Sequence, residues 1–213
     1  MKIFDISVPI KPDMPTWPGD PPVKLEKLSS MEDGDTANTT LLEMSVHTGT
    51  HLDAPNHFLP NGKTIDQLSL QSFIGEALVM EIAKNIDTIT DQVLQSHEDY
   101  DRLKKTTRVL FKTRNSSLWA SHCLAFQTDY VGLDASAAAH LGNLSLSLIG
   151  LDYLSIATYQ DTHQPHEILL SQDIALLEGV NLSSITPGLY QLICAPLLIE
   201  GCEGAPVRAF LIQ

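Results

Sequence analysis

Residues 47–57 read His-Thr-Gly-Thr-His-Leu-Asp-Ala-Pro-Asn-His, placing three imidazoles and a carboxylate within eleven residues. These are the side chains that divalent transition metals such as Zn²⁺ and Mn²⁺ select. His47, His51, Asp53 and His57 share one parity, so in an extended chain they lie on one face. At about 3.3 Å per residue, however, His47 and His51 would stand about 13 Å apart, near the limit for two imidazoles on one ion. The chain must bend between them. Gly49 lacks a Cβ and can take positive φ, while Pro55 drives Ala54 toward extended geometry; His51 and Asp53 then remain together on one face. A helical His47/His51 pair of the zinc-protease kind is rejected. Thr48 stands where that pattern needs Glu, and Gly49 and Pro55 both oppose a helix.

Working outward, short runs rich in β-branched, aromatic and other apolar residues read as strands: Lys2–Val8, Val23–Leu28, Leu41–His47, Ala77–Ile82, Arg108–Thr113, Leu146–Asp152 and Tyr190–Ile199. Leu41–His47 is expected to deliver His47 at a strand end, where loops carry chemistry on a rigid scaffold. Helices are expected over Asp91–Tyr100 after Thr90, over Asp134–Leu141 closed by Gly142, and over His166–Gln172 after Pro165. The chain reads as α/β. Residues 1–213 are expected to form one domain, with the Pro-rich stretch 9–22 as an extended arm.

Composition supports an enzyme without identifying it. Asp plus Glu is 26 against 13 Lys plus Arg, a formal charge of −13, and no basic cluster tracks a phosphate backbone, so no nucleic-acid partner is expected. No apolar run approaches the roughly 20 residues of a membrane span. Asp5 and Pro9 interrupt the place where a signal peptide would carry its apolar core, and Cys123, Cys194 and Cys202 form no Cys-x-x-Cys pair. A reducing, cytoplasmic setting is expected.

The run from His47 to Phe58 resembles the His-x-Gly-Thr-His-x-Asp-x-Pro-x-His signature of the metal-dependent cyclase-like hydrolases, which include bacterial kynurenine formamidase and isatin hydrolase. Further matches are Asp5–Pro9, Met14–Asp20, Gly150-Leu-Asp152, Pro165–Leu170 with Leu177-Glu178-Gly, Ala195-Pro-Leu and Gly204–Ala209. The resemblance implies a mixed β-sheet core with a few flanking helices, of the swivelling β/β/α kind. It also implies two divalent ions, Zn²⁺ or Mn²⁺, held by His47, His51, Asp53, His166 and Glu178, with Asp53 and Glu178 as bridges. His57 is then the acid/base, Trp17 lines the substrate pocket, and the protein is a homodimer or larger. Bridging suits carboxylates, because two oxygens can serve two cations whereas a neutral imidazole has one free lone pair.

The reaction so implied is hydrolysis of a small amide, formamide or cyclic amide by metal-activated water. N-formylkynurenine is one substrate, although Tyr153-Leu-Ser-Ile-Ala after Asp152 departs from the Pro-Ser-Val-Asp-Pro run of the formamidases. Two readings of other classes stand beside it: a metal-binding or sensing protein without turnover, and a structural domain with a folding metal. Carboxylates able to bridge, and a histidine left over, favour catalysis. His163 is the rival to His166, Asp161 a weaker one, and Asp152 either orients a ligand histidine or caps a turn. His97, His122 and His140 have no partner pattern.

Overall fold

In the computed structural model, which describes residues Met1–Gln213, the first half holds β1 (Ile3–Asp5), β2 (Lys24–Ser29), β3 (Thr39–Glu43), β4 (His51–Asp53), α1 (Leu70–Phe73), β5 (Ile74–Glu81), β6 (Thr88–Ile89), α2 (Asp91–Gln95), α3 (Tyr100–Leu103) and β7 (Arg108–Lys112). Then come α4 (Ser116–Ala120), β8 (Gly132–Leu133), α5 (Ala135–Gly142), β9 (Leu148–Leu151), α6 (His163–Leu170), β10 (Ala175–Glu178), β11 (Gly188–Ile193), β12 (Gly204–Pro206) and β13 (Phe210–Ile212). Nine strands form one sheet in the order β1-β13-β11-β5-β7-β9-β10-β4-β12. Its centre, β5-β7-β9-β10, is parallel, and its flanks are antiparallel. The α/β class with a mixed sheet and few helices is the one read from the sequence. No helix is long and apolar enough to cross a membrane.

The parallel centre is buried on both faces, which is why its strands are continuous apolar runs rather than alternating ones. Period-two alternation divides them between two cores. Val109, Phe111, Ile149, Leu151 and Leu176 face α5 and α6, whereas Leu110, Leu148 and Leu177 face a second core shared with Leu192 of β11 and Leu211 of β13. The same core on both β9–β10 and β11–β13 means that the sheet curls over it. Leu52 belongs to this second core, so its neighbours His51 and Asp53 point to the helix side. One residue of register decides which side carries the chemistry.

Several expected boundaries move. β3 ends at Glu43, so His47 is not at a strand end; its amide donates to Ser45 Oγ at 3.2 Å in a turn that runs to Thr50. Asp91–Tyr100 breaks into α2 and α3 because His97 donates to the Glu81 carbonyl (2.9 Å) and accepts from the Asp99 amide (3.0 Å), locking a turn between them. α5 runs through Gly142 and closes at Asn143, while Asp134 caps its start by accepting from Ala137 N at 2.8 Å. α6 begins at His163, leaving Pro165 inside its first turn, where a missing N–H costs nothing. Ile193, not Ile199, ends β11, and Lys2–Val8 yields only Ile3–Asp5. Residues 9–22 contain no helix or strand, and Met14 in their midst is buried against Val8 and Val23.

The bend expected at Gly49 is present, with φ +69°. Gly179, also at φ +69°, leads the chain out of β10 against it, and a Cβ on Gly179 would stand 2.1 Å from the Gly49 carbonyl oxygen. Thr50 ties the two loops by donating to the Gly179 carbonyl at 2.7 Å. Gly179→Ala therefore combines left-handed strain with a backbone collision. The expected loss is about 3 kcal/mol or more, a fall in Tm of about 6–12 °C for a chain of this size. Gly142→Ala, in a helical site with ordinary contacts at 3.5 and 3.8 Å, should instead be neutral or stabilise by up to about 1 kcal/mol. Paired thermal melts check both.

Candidate functional site

β4 and β10 build the site between them. In their antiparallel register Glu178 lies opposite His51 and Leu176 opposite Asp53, so the two carboxylates and His51 emerge on one face. β12 closes the other edge of β4, with Gly204 opposite Asp53. A Cβ at Gly204 would come within 2.8 Å of the His47 ring, so glycine here leaves the space that His47 occupies. α6 supplies the buried His166, and the 3-10 turn Pro55–His57 supplies His57 after an extended Ala54 (φ −102°, ψ 161°).

Two groups of ligand atoms result. His47, His51 and Asp53 form one, and Asp53, His166 and Glu178 form the other, each with its atoms within 4.8 Å of one another. Asp53 belongs to both. Its Oδ1 lies 2.9 Å from His47 Nδ1 and 3.4 Å from His51 Nε2, and its Oδ2 lies 3.7 Å from His166 Nε2. Glu178 reaches His166 Nε2 at 3.1 Å through Oε1 and His51 Nε2 at 3.4 Å through Oε2.

The donor set fits divalent cations. His51 Nδ1 is paired with the Gly49 carbonyl at 3.0 Å and His166 Nδ1 with the Thr162 carbonyl, so each Nδ1 carries the proton and each Nε2 presents a lone pair. Those lone pairs face carboxylate oxygens, acceptor against acceptor, which is repulsive unless a proton or a cation stands between them. Asp53 Oδ2 and His47 Nε2 are buried without a hydrogen-bond partner. Without a cation, protons take its place. Burial alone would depress His51, yet Asp53 and Glu178 override it and push it up to about 10. His166 is raised against the same burial by Glu178 and Asp53. Burial would raise Asp53, but the neighbouring imidazoles His57 and His47, with hydrogen bonds from His47 and His51, hold it well below the usual carboxylate range.

His57 behaves differently. Its ring stacks on His47 at 4.0 Å between centroids and meets Phe58 edge-on at 4.5 Å. Burial lowers its pKa more than the charge of Asp53 raises it, so it is held as the neutral base. It belongs to neither group of ligand atoms.

His47, His51, His57, His166 and Glu178 line a pocket of about 180 Å³. Trp17 is in its wall, packed edge-on against Phe126 at 5.1 Å and beside Tyr159 at 5.9 Å. His163 is not in the cluster: it is exposed, 3.6 Å from Glu167. Asp161 accepts from the Gln164 amide at 3.1 Å. Asp152 orients no histidine; it caps the turn after β7, accepting from Thr113 and Ser116 through backbone and side chain. His140 pairs with the Tyr100 hydroxyl at 3.0 Å. The sequence reading missed Glu203, 3.6 Å from His47, and the pocket residues Asp20, Ser155 and Thr162. Two of them had a signal: Asp20 closes the Met14–Asp20 match, and Glu203 stands beside the Gly204-Ala-Pro match.

The family model described as "Putative cyclase" matches residues 4–158. The chain is 37% identical to Cyclase-like protein 3 of Oryza sativa subsp. japonica, over all of this chain and 80% of that one. It is 35% identical to the kynurenine formamidase of Bacillus anthracis, over 99% of this chain and 97% of that one. A solved structure described as a potential metal-dependent hydrolase with cyclase activity superposes with a TM-score of 0.82 at 28% identity, covering 99% of this chain and 96% of that one.

Proposed function

Because the chain belongs to the cyclase family, we propose that it is a metal-dependent hydrolase of small amides, formamides or cyclic amides. The observation that carries this reading is Asp53: one buried carboxylate shared by two groups of ligand atoms, beside a neutral histidine that neither group uses. His47, His51 and Asp53 would hold one divalent ion, and Asp53, His166 and Glu178 a second, with Zn²⁺ or Mn²⁺ suited to the nitrogen and oxygen donors. Such ions, when bound, lower the pKa of water toward neutrality and polarise a carbonyl.

The chain's own residues do the rest. Gly49 and Thr162 fix the tautomers of His51 and His166 through their carbonyls, so that both Nε2 atoms stay available. His57, neutral and with no protein hydrogen bond to its ring nitrogens, accepts a proton as water is activated and returns it to the departing amine nitrogen. Trp17, braced by Phe126 and Tyr159, offers its face to a flat substrate. Residues 1–213 act as one catalytic unit in this reading.

The test is a hydrolysis screen of formamides, lactams and cyclic imides with Zn²⁺- and Mn²⁺-loaded protein, alongside elemental analysis. About two ions per chain with turnover is the expected result; one tightly held ion with no turnover on any substrate sinks it in favour of a metal-binding or structural role. N-formylkynurenine belongs in the screen because of the 35% identity to a kynurenine formamidase.

We also infer a homodimer or larger assembly. β2 and β3 form a two-stranded ribbon outside the main sheet, with the Leu25–Leu42 pair exposed on one face and Leu28 and Leu41 exposed on the other. An isolated ribbon is marginal in water, and a partner surface would cover it. Sedimentation should give at least a dimer, and Leu25→Lys with Leu42→Lys should shift it toward monomer. The three cysteines are unpaired thiols, which agrees with a cytoplasmic setting.

A further inference from the structure

Trp17-Pro18-Gly19-Asp20 forms a β-turn in which the Asp20 amide donates to the Trp17 carbonyl at 3.0 Å. Pro18 holds the second position and Gly19 the third, with φ +102°, which is the type II pattern. A β-turn brings its first and fourth residues together, so the indole and the carboxylate leave the chain side by side, and both line the pocket. Phe126 and Tyr159 hold the indole in place.

Asp20 is the carboxylate of the pocket that the ligand cluster does not use. The other one in the lining, Glu178, is engaged by His51 at 3.4 Å and His166 at 3.1 Å. Asp20 belongs to neither group of ligand atoms and is partly buried, and its side chain has no ion-pair or hydrogen-bond partner in the chain. No Lys or Arg lines the pocket. A partly buried carboxylate without a counter-charge favours a cation that enters beside it and disfavours an anion. The formal charge of −13 acts in the same sense at long range. Size sets a second limit. A cavity of about 150 Å³ takes a benzene, so the pocket of about 180 Å³ admits one aromatic ring with a short substituent.

We propose that Asp20 is a specificity-determining residue: together with Trp17 it selects small aromatic amides that carry an ammonium group, and it rejects their carboxylate counterparts. The proposal rests on the amide-hydrolase reading and names the substrate class for that same site. The substrate ring lies on the indole, its amide turns toward the histidines and carboxylates of the cluster, and its ammonium donates to the Asp20 carboxylate. Such a charge-assisted hydrogen bond, partly shielded from water, is stronger than an ion pair on the open surface. It is made in the ground state and the transition state alike, so it lowers KM rather than raising kcat.

The test takes the parent amide that the wild type hydrolyses with Zn²⁺ or Mn²⁺ and compares its aryl aminomethyl, hydroxymethyl and carboxylate derivatives, which are cationic, neutral and anionic groups of similar size. The wild type should prefer the aminomethyl over the hydroxymethyl derivative about 10-fold in kcat/KM, mostly through KM, with the carboxylate derivative the poorest. Asp20→Asn, which keeps the shape of the turn, should reduce that preference to about twofold or less. Asp20→Lys should reverse the order of the cationic and anionic derivatives. Comparing ratios between proteins cancels the intrinsic reactivity of each derivative. Asp33→Asn, exposed and outside the pocket, removes one charge elsewhere and should leave the ratio as it is. An unchanged ratio in Asp20→Asn, an equal change in Asp33→Asn, or loss of metal from Asp20→Asn overturns the proposal. So does a wild type confined to non-aromatic amides. A wild type that hydrolyses the aromatic parent amide without distinguishing its derivatives overturns the role of Asp20 and leaves the hydrolase reading standing. One that hydrolyses no parent amide removes both, and that result is visible before any derivative or variant is made.

Discussion

Asp53→Asn should empty both proposed metal sites at once and lower hydrolysis at least about 1000-fold, since several kcal/mol of transition-state stabilisation are expected from the ions and each 1.36 kcal/mol is a factor of ten. The substitution preserves shape and burial but removes the one charge that both groups of ligand atoms share. It also turns an amide N–H₂ or a weaker carbonyl toward lone pairs of His51 and His166 that now face an anion. Elemental analysis should find little metal in the variant and about two ions in the wild type. Chelation provides the second readout. Ions present at about 1000 times their Kd stabilise the folded state by about 4 kcal/mol, or about 8–16 °C in Tm for a chain of this size. The wild type should lose that on chelation and recover it on reloading, whereas Asp53→Asn should melt at the same temperature with or without chelator. Glu203→Gln is the contrasting variant, because Glu203 is partly exposed and approaches only His47. A loss of about tenfold or less is expected there. Retention of both ions by Asp53→Asn would remove the shared-carboxylate reading.

His57→Ala should separate chemistry from binding. Turnover should fall about 100- to 10,000-fold, the range for loss of a positioned acid/base, while metal content stays at the wild-type level because His57 belongs to neither group of ligand atoms. His57→Gln, which keeps a flat polar group against His47 and Phe58, guards against collapse of the stack. Loss of metal from both variants would make His57 a ligand. Full activity in either would end the acid/base role.

Part of this site is legible in the chain itself and part is not. The crowding of ligand side chains in 47–57, the bend at Gly49 and the shared face of His51 and Asp53 all follow from local geometry, and the fold bears each of them out. The place of His47 was misread, because Leu41–His47 looks uniformly strand-like whereas Ser45 turns the chain with its own hydroxyl. β10, Ala-Leu-Leu-Glu, was missed as a strand because four residues carry too little periodicity to distinguish strand from helix. His166 and Glu178 were named through family resemblance, since nothing local tells a ligand from a solvated side chain. His163 illustrates the point: three residues away on the same helix, it is exposed.

What the sequence determined by itself is therefore the chemistry on offer and its local bending: which atoms can ligate, where glycine frees the backbone, and that the chain alternates strands with helices. Only the tertiary structure decided which of those atoms meet. Register between β10 and β4 sets Glu178 opposite His51, the second core takes Leu52 and so leaves Asp53 on the helix side, and α6 brings His166 to the second face of the same carboxylate. The physical reason is that such pairings are settled by how the whole set of apolar side chains can be buried together, with a one-residue slip turning each side chain to the wrong face. That condition is satisfied by the folded sheet as a unit and is written in no single segment.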